Sequence, residues 1–115
     1  MIQYTKNRTE SIIVSTKDYL NFVLEQLSGL DGITYRAMMG EYIIYYQGRI
    51  IGGIYDNRFL IKDTPAAKKL MPNALYEYPY EGAKPMLLVD EIDDAEFLCT
   101  LFKAVLPELP LPKKK

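Results

Sequence analysis

Residues 33–62 decide the fold, and they read ITYRAMMGEYIIYYQGRIIGGIYDNRFLIK. β-Branched and aromatic residues dominate four runs within this stretch, at residues 33–38, 42–46, 49–55 and 58–62. Gln47-Gly48 separates the second run from the third, and Asp56-Asn57 separates the third from the fourth. Two-residue separators that tolerate positive φ are typical of tight hairpins. The pattern therefore predicts a meander of three or four antiparallel strands.

Helical patterns precede and follow the meander. Apolar residues recur on one face of residues 15–27, and Ser15 or Thr16 is placed to cap that helix. Thr64 followed by a proline is typical of the start of a second helix, which we expect to be short. The remaining predicted elements are helix 65–71, strands 75–80 and 86–89, and a last helix that begins with the capping pair Asp93 and Glu96 and stops at Pro107.

The order of these elements predicts an α+β fold. In chain order they run α-β-β-β-(β)-α-β-β-α, which favours two layers, with one mostly antiparallel sheet of five to six strands covered by helices. The domain is expected over residues 15–107, after an N-terminal lead-in of residues 1–14. Residues 108–115 read ELPLPKKK, and we expect this Pro/Lys-rich tail to trail in solvent.

The composition excludes several kinds of site. The 115 residues include no His and one Cys, so a Ser-His-Asp site, a Cys-His site and an internal disulfide are all impossible. With 14 Lys and Arg against 15 Asp and Glu, the chain has a net charge of −1 and no overall attraction for nucleic acid or an anionic membrane. It contains neither a stretch of the roughly 20 apolar residues that span a bilayer nor a signal-peptide pattern. We expect a cytoplasmic protein without membrane contact.

Three features that resemble chemical sites are better explained by structure. The acidic cluster in residues 90–96 lacks the spacing of a calcium loop, and acidic residues are common before helices. Gly52-Gly53 fits no phosphate-binding pattern and predicts a bulge or close packing within its strand. Cys99 has no histidine to activate it and suits the interior of the last helix. We therefore predict no catalytic, cofactor-binding or metal-binding residues.

Ten tyrosines are the strongest compositional signal. Tyrosine is favoured in strands and at protein interfaces, so core or dimer packing is the favoured interpretation. Stacking on single-stranded bases is an alternative that also requires a basic surround. The tyrosines in question are Tyr42, Tyr45, Tyr46 and Tyr55 on neighbouring strands, and Tyr76, Tyr78 and Tyr80, which alternate and are expected on one face. The candidate partner-binding residues are Arg36, Tyr42, Tyr45, Arg58, Lys62 and Lys84.

The segment YRAMMGEY at residues 35–42 resembles the N-terminal domain of the TfoX/Sxy competence regulators. That family's pattern runs Arg, x, Met, Phe, Gly, Gly or Glu, Tyr, then a strand, a turn with Gly, a second strand, and a third that ends in Lys. The resemblance covers residues 16–115 and includes residues 80–85. Met39 stands where the family has Phe, at a position that we expect to be apolar. The matching residues are Arg36, Met38, Gly40, Glu41, Tyr42, Gly48 and Lys62.

The resemblance implies a non-enzymatic regulatory or accessory role in transcription or competence-type regulation, and it implies a single-domain member, because the longer regulators carry a second, helical domain. Our leading hypothesis is binding to a protein partner or to a second copy, through the tyrosine-rich sheet or an exposed strand edge. One alternative is a small-molecule-binding protein or a carboxylate- and Tyr-based enzyme, with Arg36, Tyr42 and an acidic residue converging in a pocket between sheet and helices. Another is a weak nucleic-acid binder, which the net charge disfavours.

Overall fold

A computed structural model describes residues 16–111 and confirms the α+β class and the order of helices and strands. The N-terminal lead-in and residues 112–115 lie outside the described residues. None of the helices in residues 16–111 has the length and hydropathy needed to cross a membrane. The elements are α1 Lys17–Gln26, β1 Ile33–Met38, β2 Glu41–Tyr46, β3 Arg49–Tyr55, β4 Arg58–Ile61, α2 Pro65–Leu70, β5 Tyr76–Glu77, β6 Met86–Leu88, α3 Ala95–Val105 and a 3₁₀ helix Leu106–Glu108.

The six strands form one antiparallel sheet in the order β1-β2-β3-β4-β6-β5. The predicted meander is its first four strands. Both predicted two-residue turns are confirmed, with φ of 54° and 80° at Gln47 and Gly48 and of 54° and 55° at Asp56 and Asn57. Such paired positive φ values match the twist of the flanking strands and allow the chain to reverse within two residues. The strand predicted over 75–80 is much shorter, because only Tyr76–Glu77 pairs with β6.

The three helices pack on one side of the sheet. Side chains alternate along a strand, and residues paired across neighbouring strands project from the same side. Ile44, Ile54 and Ile61 are fully buried within the hydrophobic core, so their side of the sheet faces the helices. We call this side the helix face and the opposite side the open face. The core on the helix face includes Leu20, Val23, Leu27, Ile44, Ile54, Phe59, Ile61, Leu87, Leu98, Leu101, Phe102 and Val105.

Gly52-Gly53 shows both the bulge and the close packing that the sequence predicts. Ile44 pairs with Gly52 but Tyr45 pairs with Ile50, which leaves Ile51 as the extra residue of a bulge. A Cβ at Gly52 would collide with the Leu60 carbonyl and lie 2.7 Å from the Ile61 Cα. Glycine at this position therefore lets β3 and β4 approach each other.

The predictions for the helix starts are confirmed for α1 and α2 and wrong by one residue for α3. Thr16 caps α1 by accepting from the Tyr19 amide at 3.2 Å. Thr64 caps α2 with the same geometry. The cap of α3 is Asp94 rather than Asp93, and its carboxylate accepts from the Phe97 amide at 3.0 Å. The helix begins at Ala95, so Asp94 is the residue whose side chain reaches a free amide of the first turn.

Residues 108–115 were predicted to trail in solvent, and this prediction is wrong for the first residues of the segment. Leu109 is 4% exposed and belongs to the core. The Glu108 carboxylate accepts from the Ala66 amide at 2.9 Å, and the Leu106 carbonyl accepts from Arg49 Nη1 at 2.9 Å. The 3₁₀ helix turns the chain back toward the start of α2, so an apolar side chain within a proline-rich sequence reaches the core.

Candidate binding groove

The register of the sheet shows on which face each of the six candidate partner-binding residues lies. Arg36 pairs with Ile43, and Arg58 pairs with Tyr55, so both project from the open face. Tyr45 also lies on that face, because it is one residue from the buried Ile44. The remaining candidates on the open-face side are Lys62 and Lys84.

Tyr42 is the candidate that the structure places elsewhere. It pairs with the buried Ile54 and packs against the core on the helix face, where its ring meets Tyr35 edge-on at 5.9 Å. Arg36 and Tyr42 therefore project from opposite sides of the sheet. The pocket in which they would converge with an acidic residue does not form.

A loop covers part of the open face. Leu60 pairs with Gly53 and Leu88, projects from the open face, and is nevertheless fully buried. The loop of residues 78–85 provides the cover: its Pro79 is buried, and the Tyr80 ring lies 6.4 Å from the Tyr55 ring. The loop therefore covers the open face at β4 and β6, and the part of the open face beside these strands is accessible to solvent.

A groove of about 620 Å³ runs between this loop and the strands. Two lysines, Lys62 and Lys84, and one carboxylate, Asp63, line it beside apolar and aromatic side chains. A second depression, of about 520 Å³, adjoins it and shares Ile50 and Lys62 as lining residues. We call the two together the open-face groove. Its principal lining residues are Tyr45, Ile50, Tyr55, Lys62, Tyr80, Lys84, Met86 and Leu111.

Arg58 holds the loop and is not available to a ligand in the way the sequence suggests. Its Nε donates to the Tyr55 carbonyl at 3.0 Å, its Nη1 to Glu77 Oε1 at 2.6 Å, and its Nη2 to the Tyr78 carbonyl at 3.1 Å. Asp56 lies 3.7 Å away and adds a second ion pair. Since all three nitrogens of the guanidinium are engaged, Arg58 is a structural residue that fixes the start of the loop.

The tyrosines are divided between the two faces. Tyr46 is 4% exposed on the helix face, with its ring 5.8 Å from that of Phe102. The expectation that Tyr76, Tyr78 and Tyr80 share a face is wrong, because the Tyr76 ring lies beneath Lys68 of α2 whereas Tyr80 contacts Tyr55 on the open-face side. Strand alternation ends with β5 at Glu77, so it cannot place the later residues. The tyrosines that the base-stacking alternative would use therefore do not all lie on one face.

Charge is distributed unevenly along the open face. Near the β3–β4 turn, burial raises the pKa of the Glu41 carboxyl, Asp56 raises it further, and Arg58 opposes them. Burial also raises the pKa of the Tyr55 hydroxyl, and the charge of Glu41 adds to that shift. This end of the face disfavours additional negative charge, whereas the groove end carries two lysines, Lys62 and Lys84, against the single carboxylate of Asp63.

The sequence did not identify several residues of the groove. Ile50 is 40% exposed and Tyr80 is 61% exposed, although both are large and apolar or aromatic. Strict alternation along β3 would place Ile50 and Tyr55 on opposite sides of the sheet. The bulge at Ile51 shifts the alternation by one residue and brings both to the open face, so the sequence carried no signal for this pairing. No group of three or more His, Cys, Asp or Glu side chains is arranged to hold a metal ion within residues 16–111.

The environment of Met39 also differs from the apolar site that the sequence led us to expect. It stands in the turn between β1 and β2 with φ 54° and is 92% exposed, so its position is not an apolar interior site. Positive φ is uncommon for a residue other than glycine, asparagine or aspartate.

Comparison with known proteins relates the chain to one family. The chain matches no family model, and no solved structure matches it. It is 31% identical over 98 residues to the "Uncharacterized 12.7 kDa protein in trpE 5'region" of Spirochaeta aurantia. The alignment covers 84% of this chain and 85% of that protein. The chain therefore belongs to the family of this 12.7 kDa spirochaete protein.

Proposed function

We propose that the protein is a non-enzymatic, cytoplasmic binding module with a regulatory or accessory role of the kind that its resemblance to the TfoX/Sxy N-terminal domain implies. It acts by binding a protein partner in the open-face groove. The observation that carries this proposal is that Lys62 and Lys84, with Asp63 as the one carboxylate among the groove's lining residues, flank the exposed Ile50 and Tyr80 and the half-buried Met86.

The chemistry of the groove favours an extended acidic segment of the partner. The apolar floor matches alternate side chains of such a segment, while the two ammonium groups pair with its carboxylates. A solvated charge pair contributes little by itself, so burial of the apolar side chains supplies most of the affinity and the lysines select for negative charge.

Two other occupants are less well matched to the same surface. A small molecule would suit a volume of about 620 Å³, but the groove is an open trough rather than an enclosed pocket. Single-stranded nucleic acid would need several accessible aromatic rings in a basic surround, whereas Tyr46 is buried and Glu41 and Asp56 lie at one end of the face.

A fluorescence anisotropy titration tests the proposal. The probe is a labelled, short peptide that alternates glutamate with leucine, and the test variant is Lys62→Gln/Lys84→Gln. Loss of two exposed charge pairs is expected to weaken binding roughly 2- to 30-fold. The matched control is Lys69→Gln/Lys103→Gln, which removes two exposed lysines from α2 and α3 and is expected to leave the affinity unchanged.

Two results would overturn the proposal. Equal losses of peptide affinity in the test and control variants would show that binding depends only on the net charge of the protein and not on the groove lysines. Micromolar binding to a mixed-sequence DNA duplex that weakens steeply with salt would replace the protein partner with nucleic acid.

A further inference from the structure

Within residues 16–111, β1 is an edge strand whose one protecting feature is the charge of Arg36. It pairs with β2 on one side, and no other described residue pairs with it. Five of its six residues are exposed. Edge strands are commonly protected by charged side chains, especially lysine, by proline or by a bulge. β1, with the sequence ITYRAM and a regular register to β2, carries the charge of Arg36 but no lysine, proline or bulge.

The register identifies which backbone groups point outward. The Gln47 amide donates to the Gly32 carbonyl at 2.8 Å, and hydrogen-bonded pairs alternate along an antiparallel ladder. Thr34 and Arg36 therefore bond to β2. The amide and carbonyl groups of Ile33, Tyr35 and Ala37 point away from the sheet.

An apolar notch lies beside this edge on the helix face. It has a volume of about 470 Å³ and opens between the end of α1 and the start of β1. Three leucines and Ile33 supply its aliphatic wall, and Ser28 is an exposed residue among those that line it. Its lining residues are Leu24, Leu27, Ser28, Leu30, Ile33, Thr34 and Tyr35.

Met39 lies at the opposite end of the same strand. Its side chain is 92% exposed, which is the highest exposure of any large apolar residue in the described chain, and its backbone has φ 54°. Asparagine would suit this turn better, since Asn-Gly is the favoured pair for such a hairpin. The turn has the same geometry as that at Gln47-Gly48, so it does not itself require methionine, and the exposed side chain is available for contact.

We propose that a second copy of this chain pairs with β1 in antiparallel orientation, with Tyr35 opposite Tyr35 across a two-fold axis. This register places Arg36 opposite Thr34 of the second copy, whereas a register centred on Arg36 would place two guanidinium groups opposite each other. It also places Met39 opposite Asp31 of the second copy, at the end of β1 where the notch lies. Each Met39 then fills the notch of the other copy, and the two sheets join into one of twelve strands.

The interface is separate from the open-face groove. The groove is formed by the turn before β3, β3 itself, the residues after β4, the 78–85 loop, the start of β6 and the segment after the 3₁₀ helix, with Tyr45 as its contribution from β2. Failure of the dimer proposal would therefore leave the groove proposal intact, and the reverse also holds.

Sedimentation and hydrogen exchange test the dimer together. We expect a mass near twice 13.3 kDa that falls toward the monomer on dilution. Exchange of the Tyr35 and Ala37 amides should slow by about tenfold or more from dilute to concentrated protein, because they enter the new ladder. The Thr34 and Arg36 amides, already bonded to β2, should change little.

Three variants test the contacts. Met39→Asn keeps a favourable turn while removing the apolar side chain, and Ser28→Phe fills the notch of an otherwise unchanged fold. Each should weaken dimerisation by about tenfold or more. Ala37→Pro removes an outward amide without breaking a bond to β2 and should do the same. Leu75→Asn, which removes an exposed apolar side chain near the opposite edge, is the control and should leave the dimer unchanged.

A monomer at all concentrations would overturn the proposal. So would a dimer that persists in Met39→Asn and Ala37→Pro, or one in which the Tyr35 and Ala37 amides gain no protection. Far-UV circular dichroism of each variant separates loss of the dimer from loss of the fold.

Discussion

The guanidinium of Arg58 on β4 and the carboxylate of Glu77 on β5 form an ion pair of 2.6 Å on the open face. β6 lies between their two strands in the sheet. The pair is partly shielded, with side-chain exposures of 26% and 32%. It ties the start of the 78–85 loop to the centre of the sheet, and this loop forms one wall of the open-face groove.

Arg58→Ala is expected to loosen this wall. The substitution removes hydrogen bonds to Tyr55, Glu77 and Tyr78 and should lower the free energy of unfolding by about 1–3 kcal/mol. Urea denaturation measures the change. Glu77→Gln, which retains an acceptor oxygen, should cost less, and equal stability of Arg58→Ala and the unaltered protein would contradict this account.

Gly52→Ala is expected to disrupt the contact of β3 with β4. A Cβ at Gly52 would collide with Leu60 backbone, which neither strand can relieve without losing its ladder, so the loss should be at least about 3 kcal/mol. Gly29→Ala is the matched control, since its Cβ would lie 3.7 Å from the Cys99 sulfur in ordinary contact. That control should be neutral or stabilising by up to about 1 kcal/mol. Similar stabilities of the two variants in thermal denaturation would refute the prediction.

Leu109→Ala is expected to show that the segment after α3 is part of the core. The side chain is 4% exposed, so truncation should lower the free energy of unfolding by about 2–5 kcal/mol. Leu111→Ala removes an equal volume from a residue that is 72% exposed and should change stability by less than about 0.5 kcal/mol. Denaturant titration of the pair decides the matter, and a Leu109→Ala protein as stable as Leu111→Ala would mean that Leu109 does not contribute to the core.

Glu41 is expected to make the stability of the folded protein depend on pH. Burial raises its pKa above the ordinary 4.5, so the folded state holds the proton more tightly than the unfolded state. Stability from this group is present below pH 4.5 and is lost as the pH rises through the raised value. Glu41→Gln should therefore be more stable than the unaltered protein at pH 7 and equal to it near pH 3. Melting temperatures across this range test the sign, and a stabilisation that grows toward low pH would contradict it.

The sequence predicted the meander well because its determinants are local. The turn at Gln47-Gly48 needs positive φ, and the flanking runs are rich in β-branched and aromatic residues, so neighbouring residues are enough to specify the hairpin. The same is true of Thr16 and Thr64, whose side chains cap amides three residues away.

The sequence predicted the groove poorly because its determinants are distant in the chain. Lys62 and Lys84 belong to one groove only after the 78–85 loop crosses the open face, and that crossing depends on the bond from Arg58 to the Tyr78 carbonyl. Composition also misled at Leu109, where a proline-rich segment returns to the core. Alternation failed at Tyr78 and Tyr80, because β5 ends at Glu77.

A two-dimensional amide NMR titration with the glutamate-leucine peptide tests whether the open-face groove is the binding surface. We expect shift changes to cluster at Ile50, Lys62, Tyr80 and Met86, around the open-face groove, and to shrink in Lys62→Gln/Lys84→Gln. Residues on the outer surfaces of α1 and α3 should remain unperturbed. Shift changes centred on those helices, or none at peptide concentrations that saturate the anisotropy signal, would contradict the assignment of the groove as the binding surface.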